Sequence, residues 1–306
     1  MYNDILVSIK CLVYNHAPFL RDCLDGFIMQ KTNFRFEVII HDDASTDESA
    51  DIIREYVKQY PDIIKPIFQQ ENQYSKGNGA GISQIIANTI NSASKYIAYC
   101  EGDDYWTDPY KLQKQVDFLE QHPEYVMCSH KYRIFFQDKK LLDSKIVPDV
   151  IETSGVSYSL DDLIHGKWLF HPLTIMYRHS AFDLNKFNRY KYNHDVVLFY
   201  FLLKNGNGYL LPDVMATYRV HRGGIWSRLK DQNKYTLELK QRLAIYDVEQ
   251  SEDAFIFLMT TLNRPSSRLW MIRNYSFMYK VFLVVYKHKG VSFLMKTLVR
   301  KFILVR

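Results

Sequence analysis

Adjacent carboxylates directly after an apolar run are the residues of this 306-residue chain best suited to chemistry. Tyr96-Ile97-Ala98-Tyr99-Cys100 reads as a buried strand, and Glu101-Gly102-Asp103-Asp104-Tyr105-Trp106 follows it. Ligands of open α/β sheets bind outside the carboxyl ends of the strands. Acids placed there offer hard oxygens to a divalent cation, Mg²⁺ or Mn²⁺, and leave positions open for phosphate oxygens. A solvated acidic turn would use the same residue types, so the other polar stretches must decide.

Three such stretches fall where one cleft would need them. Val13-Tyr14-Asn15-His16 ends the first apolar run, and Tyr14 can offer a ring face to a nucleobase. His41-Asp42-Asp43-Ala44-Ser45-Thr46-Asp47 ends the second. Ser45, Thr46 and Asp47 suit helix capping. Asp43 is left to accept a hydrogen bond from a base N–H or a ribose hydroxyl. Asn193-His194-Asp195 opens a later helix. Asp195 there is either an N-terminal helix acid or a general base facing the same cleft; the spacing leaves both readings open. Gly77-Asn78-Gly79-Ala80-Gly81 lacks the GxGxxG spacing, and no GxxxxGK[ST] loop is present, which disfavours the usual NAD and ATP folds.

The elements that must carry these residues alternate. Ile5–Val13, Phe36–Ile40, Ile63–Phe68 and Tyr96–Cys100 read as strands. Between them Ala17–Gln30, a segment carrying Ile52, Ile53, Tyr56 and Val57, and Ile82–Ala93 show the 3.6-residue period of helices. A helix starting near Pro109 and a long strand at Tyr125–Phe136 follow. This alternation predicts an α/β fold with a mostly parallel central sheet flanked by helices. Residues 151–220 are less regular, with strands expected at Leu173–Tyr177 and Met215–Val220 and a helix at Asp195–Lys204. From Ser227 the pattern is helical.

Hydrophobic content of 47% and charged content of 24% are ordinary for a folded protein. The net charge of +5 conceals an asymmetry: after Asp253 there is no acid, while residues 254–306 carry ten Lys and Arg. With those ten set aside from the 39 bases, 29 remain against all 34 acids. A basic tail on an acidic body suggests an anionic surface as partner. Val291–Arg306 reads as a basic amphipathic helix, with Ser292, Lys296 and Arg300 on one side and Leu294, Leu298, Phe302 and Val305 on the rest; it either meets a membrane surface or packs on the main domain with its lysines facing water. Cys11, Cys23, Cys100 and Cys128 have no metal-binding spacing and suit reduced, buried thiols of a cytoplasmic protein. No secretory leader or membrane span is expected, nor a nucleic-acid partner.

Together these motifs resemble the family 2 glycosyltransferases with the GT-A fold. The resemblance rests on Val13-Tyr14-Asn15, Asp42-Asp43-Ala44-Ser45-Thr46-Asp47, Lys76–Gly81 with Asn88, Glu101-Gly102-Asp103-Asp104 and Tyr218-Arg219-Val220-His221-Arg222-Gly223-Gly224. It covers roughly residues 5–227. It implies a GT-A catalytic domain over 1–226, with a nucleotide-sugar half (1–125) and an acceptor half (126–226), and a helical extension over 227–306.

The resemblance also implies roles. Tyr14 stacks on the donor base and Asp43 bonds it. Asp104 binds the divalent metal, with His221 as a further ligand, and Asp103 holds ribose or the metal's surroundings. Asp195 is the catalytic base. Lys76 is the nearby cation for phosphate. Trp106, Trp168, His171 and His194 are expected on the acceptor side. The implied reaction is inverting transfer from a nucleotide sugar, UDP-linked by common usage, to a glycan or lipid-linked glycan of the bacterial surface. The implied place is the cytoplasmic face of the inner membrane, reached through the basic tail. Two departures stand out: Glu101 replaces the usual first aspartate, and His194-Asp195 replaces Glu-Asp. A nucleotidyltransferase would want a basic glycine-rich turn in place of Tyr14-Asn15-His16-Ala17-Pro18. An inactive nucleotide-sugar-binding protein would not need Asp43, Asp103, Asp104 and Asp195 together.

Overall fold

A computed structural model describes residues 4–77, 79–90, 93–149, 154–191, 194–262 and 279–290. The expected basic helix at 291–306 lies outside the described residues. The first half runs β1 (Ile5–Val13), α1 (Ala17–Ile28), β2 (Arg35–Asp42), α2 (Ser49–Gln59), β3 (Ile64–Phe68), α3 (Gly79–Thr89), β4 (Tyr96–Tyr99), β5 (Tyr105–Trp106) and α4 (Lys111–Gln121). Then come β6 (Tyr125–Phe136), β7 (Leu141–Val147), β8 (Val156–Tyr158), α5 (Leu160–Ile164), β9 (Met176–Arg178) and α6 (Leu184–Phe187). The remaining elements are α7 (Asp195–Leu203), β10 (Asn207–Val220), α8 (Ile225–Arg228), α9 (Asp231–Glu249) and α10 (Glu252–Leu262), and residues 279–290 are helical.

Ten strands form one sheet in the order β3-β2-β1-β4-β9-β6-β10-β5, with β7 beside β6 and β8 beside β10. β3, β2, β1 and β4 are parallel. β1 is buried along nearly its whole length, as a strand covered by helices on both faces must be. Beyond β4 the sheet is mixed, because β9 runs antiparallel to both β4 and β6, while β10 runs parallel to β6.

On one side Leu20, Cys23, Leu24 and Phe27 of α1, spaced three and four apart, pack with Val7, Ile9 and Cys11 of β1 and with Leu112, Val116 and Leu119 of α4. On the other side Val197, Phe199, Tyr200 and Leu203 of α7 form a second core, which Ile245 of α9 and Ala254 and Phe257 of α10 share. The C-terminal helices are thus packed on the sheet domain. The Thr260 hydroxyl also donates to the Ile164 carbonyl at 2.7 Å.

Two local readings change. The strand expected at Leu173–Tyr177 is a 3₁₀ turn at Pro172–Thr174 followed by the short β9. His171 and Thr174 exchange side-chain to backbone bonds around Pro172 and turn the chain before it can extend. The strand expected at Met215–Val220 starts already at Asn207 and runs through Pro212. Its register against β6 shifts between Leu211 and Val214, so the residue without an N–H sits at the bulge.

Candidate functional site

β1 and β4 run side by side and end at the same edge of the sheet, which brings the loops after them together. The turn after β4 is pinned there. The Gly102 N–H donates to the Leu12 carbonyl at 2.9 Å. A Cβ on Gly102 would lie 2.9 Å from Val13 Cγ2 and 3.0 Å from His16 Nδ1, so only glycine fits this approach. The buried thiols of Cys23 and Cys100 point at the Glu101 carbonyl, at 3.5 and 3.6 Å. All four cysteines are free and buried.

The two aspartates after Gly102 face opposite surroundings. Asp103 Oδ2 accepts from His221 Nε2 at 3.0 Å and lies 3.8 Å from His16 Nε2. Asp103 Oδ1 is buried and has no partner. Burial alone would raise the Asp103 pKa, but the His221 hydrogen bond and the fields of His16 and His221 bring it below the ordinary carboxylate value. Asp104 is 2% exposed and turned inward. Its Oδ1 accepts the backbone N–H of Arg219 at 2.8 Å. Burial first, and then the charge of Asp103, push its pKa well up. The Arg219 guanidinium closes the floor: it donates to the Asp103 carbonyl, Gln137 and Asp22, at 2.9, 2.6 and 2.6 Å.

The fit of this corner to a divalent cation follows from those contacts. A charged carboxylate with one buried, unused oxygen suits Mg²⁺ or Mn²⁺. His221 is less free. Its Nδ1 accepts the Gly223 N–H at 3.1 Å, so the proton between His221 and Asp103 sits on Nε2. Coordination through Nε2 would require the other tautomer, with the proton on Nδ1 and the Gly223 bond broken. Asp104, the expected metal ligand, commits one oxygen, Oδ1, to the Arg219 N–H. Among the described residues no three His, Cys, Asp or Glu side chains are grouped to hold a metal, so phosphate or water would have to complete the shell.

The loops after β1 and β2 are knitted to each other. The Asn15 N–H donates to Ser45 Oγ at 2.9 Å, and Asn15 Oδ1 accepts the Thr46 N–H at 2.7 Å. Asn15 and Ala44 hold positive φ of 55° and 60°. Ser45 and Thr46 therefore do not cap α2, whose preceding residue is Glu48. Asp47 does serve helix starts, accepting the N–H groups of Ala17 and Ser49, both at 3.0 Å. Tyr14 is left 45% exposed at the rim. Asp43 is buried, and its two oxygens accept the N–H groups of Gln73 and Tyr74 at 2.8 and 2.9 Å. It shapes the loop after β3 and retains lone pairs for a ligand. Lys76, in that loop, is exposed and ion-paired with Glu71.

Asp195 is the first residue of α7 and is open to water on one side. Protein crowds its other sides, and burial pushes its pKa up to about 6, against the pull of Lys10. Glu101 is pushed up to about 8 by burial and by the charges of Asp103 and Asp195. One carboxylate therefore feels both acids, and the turn after β4 and the start of α7 share a field. Lys10, opposite Tyr99 in the β1–β4 register, lies 5.2 Å from the centre of the Tyr99 ring. Burial brings its pKa down to about 8, while Glu101 and Asp195 hold it up. Lys10, His16 and Arg219 were not singled out from sequence. A cation inside a buried strand and a histidine at a strand's end were the signals available.

The expected acceptor residues divide. Trp106 is not at the surface: it is 2% exposed, donates from Nε1 to the Leu173 carbonyl at 2.9 Å and packs edge-on against Phe27. The antiparallel pairing of β5 with β10 turns it into the core. Trp168 is 45% exposed over Phe199. His171 lies between Tyr218 and Tyr132, with ring centres 4.7 and 5.1 Å away, and burial brings its pKa down to about 4. His194 precedes α7, and its carbonyl accepts the N–H groups of Val197 and Leu198.

A parallel half-sheet ending in a carboxylate turn, with loops closing over it, is the architecture of nucleotide-binding α/β enzymes. The model of Glycosyl transferase family 2 matches residues 8–203, and the chain belongs to this family. The uncharacterised protein Rv1520 of Mycobacterium tuberculosis is 35% identical over 237 residues, 75% of this chain. The chain spans only 63% of the length of that relative. Two Bacillus subtilis proteins, EpsE and TuaG, are 28% and 25% identical, covering 81% and 80% of this chain and 74% and 89% of theirs. Their names assign them provisionally to glycosyl transfer and, for TuaG, to teichuronic acid biosynthesis. Residues 1–349 of Staphylococcus aureus TarS, crystallised with UDP-GlcNAc, share the fold with a TM-score of 0.65 at 15% identity, covering 93% of this chain and 80% of that one.

Proposed function

We propose that the protein moves a sugar from a nucleoside diphosphate donor, UDP-linked, to a glycan or lipid-linked glycan, with inversion at the anomeric carbon. The observation that carries this reading is the buried, unpartnered Oδ1 of Asp103, held beside His221 just after β4 within the family 2 match over residues 8–203. The donor lies along the loops after β1 and β2, with its base against Tyr14 and Asp43. Lys76 exchanges Glu71 for a donor phosphate. The diphosphate reaches Asp103, whose free Oδ1, with His221 as a further ligand in its other tautomer, would hold Mn²⁺ or Mg²⁺. A cation there supplies counter-charge for the leaving diphosphate. Asp104 keeps the role of anchor.

The acceptor approaches from the α7 side, past Trp168, His171 and His194. Its hydroxyl gives a proton to Asp195 as it attacks, a contribution of roughly 10²–10⁴-fold. Attack opposite the leaving group inverts the configuration. The likeness to TuaG, named for teichuronic acid biosynthesis, supports a bacterial surface glycan as product. No described helix is long and apolar enough to cross a membrane. The basic residues of 291–306 would bring the chain to the cytoplasmic face of the inner membrane.

The test is a thermal-shift panel of nucleotide sugars with and without Mn²⁺, because a ligand of the folded state alone raises Tm. A UDP-sugar that stabilises wild type and Asp195→Asn alike, but is turned over only by wild type, supports the assignment. No response to any nucleotide sugar rejects it.

A further inference from the structure

The helix at 279–290 has two faces of different chemistry. Val281 and Val285 are buried in a core with Leu239 and Leu243 of α9 and Phe255 and Leu258 of α10. Its rotation is fixed from that side. His288 Nε2 and Lys289 Nζ both bond Glu252 at 2.7 Å, and the Tyr246 hydroxyl and His288 Nδ1 share a hydrogen bond of 3.1 Å. The opposite face carries Tyr279, Leu283 and Tyr286, which are 64, 39 and 49% exposed. Their i, i+4, i+7 spacing sets them in one stripe. Lys280 and Lys287 are exposed alongside it. Two acids lie near: Glu252, already shared by His288 and Lys289, and Asp247, which feels Lys280.

Three large side chains held in a row against water mark a surface built to be covered. Tyrosine, apolar in its ring and polar at its tip, suits the boundary between lipid and water. The charge beside the stripe selects the lipid: Lys280 and Lys287 flank it, and residues 279–290 contain no acid. We propose that this face docks on an anionic bilayer, with Tyr279, Leu283 and Tyr286 at the acyl boundary and Lys280 and Lys287 on the headgroups. This contact is separate from any made by 291–306. It stands apart from the transferase reading, because lipid binding needs neither donor nor acceptor.

The experiment is co-sedimentation of the full chain with vesicles of phosphatidylcholine, alone or mixed with phosphatidylglycerol. Wild type is expected to bind the mixed vesicles and not the neutral ones. Replacing Tyr279, Leu283 and Tyr286 together by Ser should lower binding about tenfold or more with Tm unchanged. Lys280→Gln with Lys287→Gln should do the same through charge alone. A chain ending at residue 290 should keep binding that is lost on the triple replacement. Equal binding by wild type and the triple variant overturns the proposal, as does equal binding to both vesicles or none to either. A concentration-dependent dimer in light scattering that the triple variant abolishes would assign the face to a second copy instead, and also overturns it.

Discussion

The Asp104 carboxylate accepts the backbone N–H of Arg219 at 2.8 Å, across 115 residues of sequence. This bond ties the turn after β4 to the end of β10 and so sets Asp103 beside His221. Asp104 and Asp103 should therefore fail differently when changed. Asp104→Ala strands a buried N–H and should cost about 1–3 kcal/mol in urea denaturation. Asp104→Asn keeps an acceptor and should cost much less. Asp103→Asn should give up the modest stability that its depressed carboxylate pKa contributes at neutral pH and remove the Mn²⁺ dependence of donor binding, read by calorimetry.

Asp195 should set the acidic limb of the pH–rate profile. A general base must be unprotonated, so activity should fall as pH drops through about 6, the value to which burial raises this carboxyl. The measurement is kcat/KM against pH with a tight-binding donor. Asp195→Asn should remove the limb along with most of the rate.

Lys111 has its own prediction for stability. It is fully buried over the Trp106 ring, with Nζ 3.6 Å from the ring centre and no hydrogen-bond partner. Burial lowers its pKa from 10.5 to about 7. Between those values the unfolded chain holds a proton the folded chain does not, so this residue makes stability rise with pH across that window. Lys111→Met should stabilise the protein by roughly 2–4 kcal/mol at neutral pH, with a smaller gain as pH approaches the upper end of the window. Urea titrations at neutral and alkaline pH, followed by tryptophan fluorescence, check both parts.

The two tryptophans expected near the acceptor should separate cleanly. Trp106→Ala empties a core site and should destabilise by about 3–5 kcal/mol. Trp168→Ala, at an exposed position, should leave Tm nearly unchanged. If Trp168 meets the acceptor, its loss raises the acceptor KM while the donor KM stays put.

Residue types and local periodicity were enough to read β1, β2 and β4, the helices between them, and the acidic turn of Glu101–Asp104 at a strand's end. Those features are local: a buried strand needs an apolar run, and a glycine is needed where Gly102 meets Val13 and His16. The directions of the side chains beyond that turn are not local. Whether Trp106 faces the core depends on its pairing with Ala216, and whether Asp104 faces a ligand depends on the Arg219 N–H. Lys10 enters the site only because α7 sets Asp195 near the end of β4. The sequence alone determined which acids were available and that strands would carry them to one edge. Tertiary structure decided which of them keep a free oxygen, because hydrogen bonds between distant segments satisfy some of those oxygens and leave others unpaired.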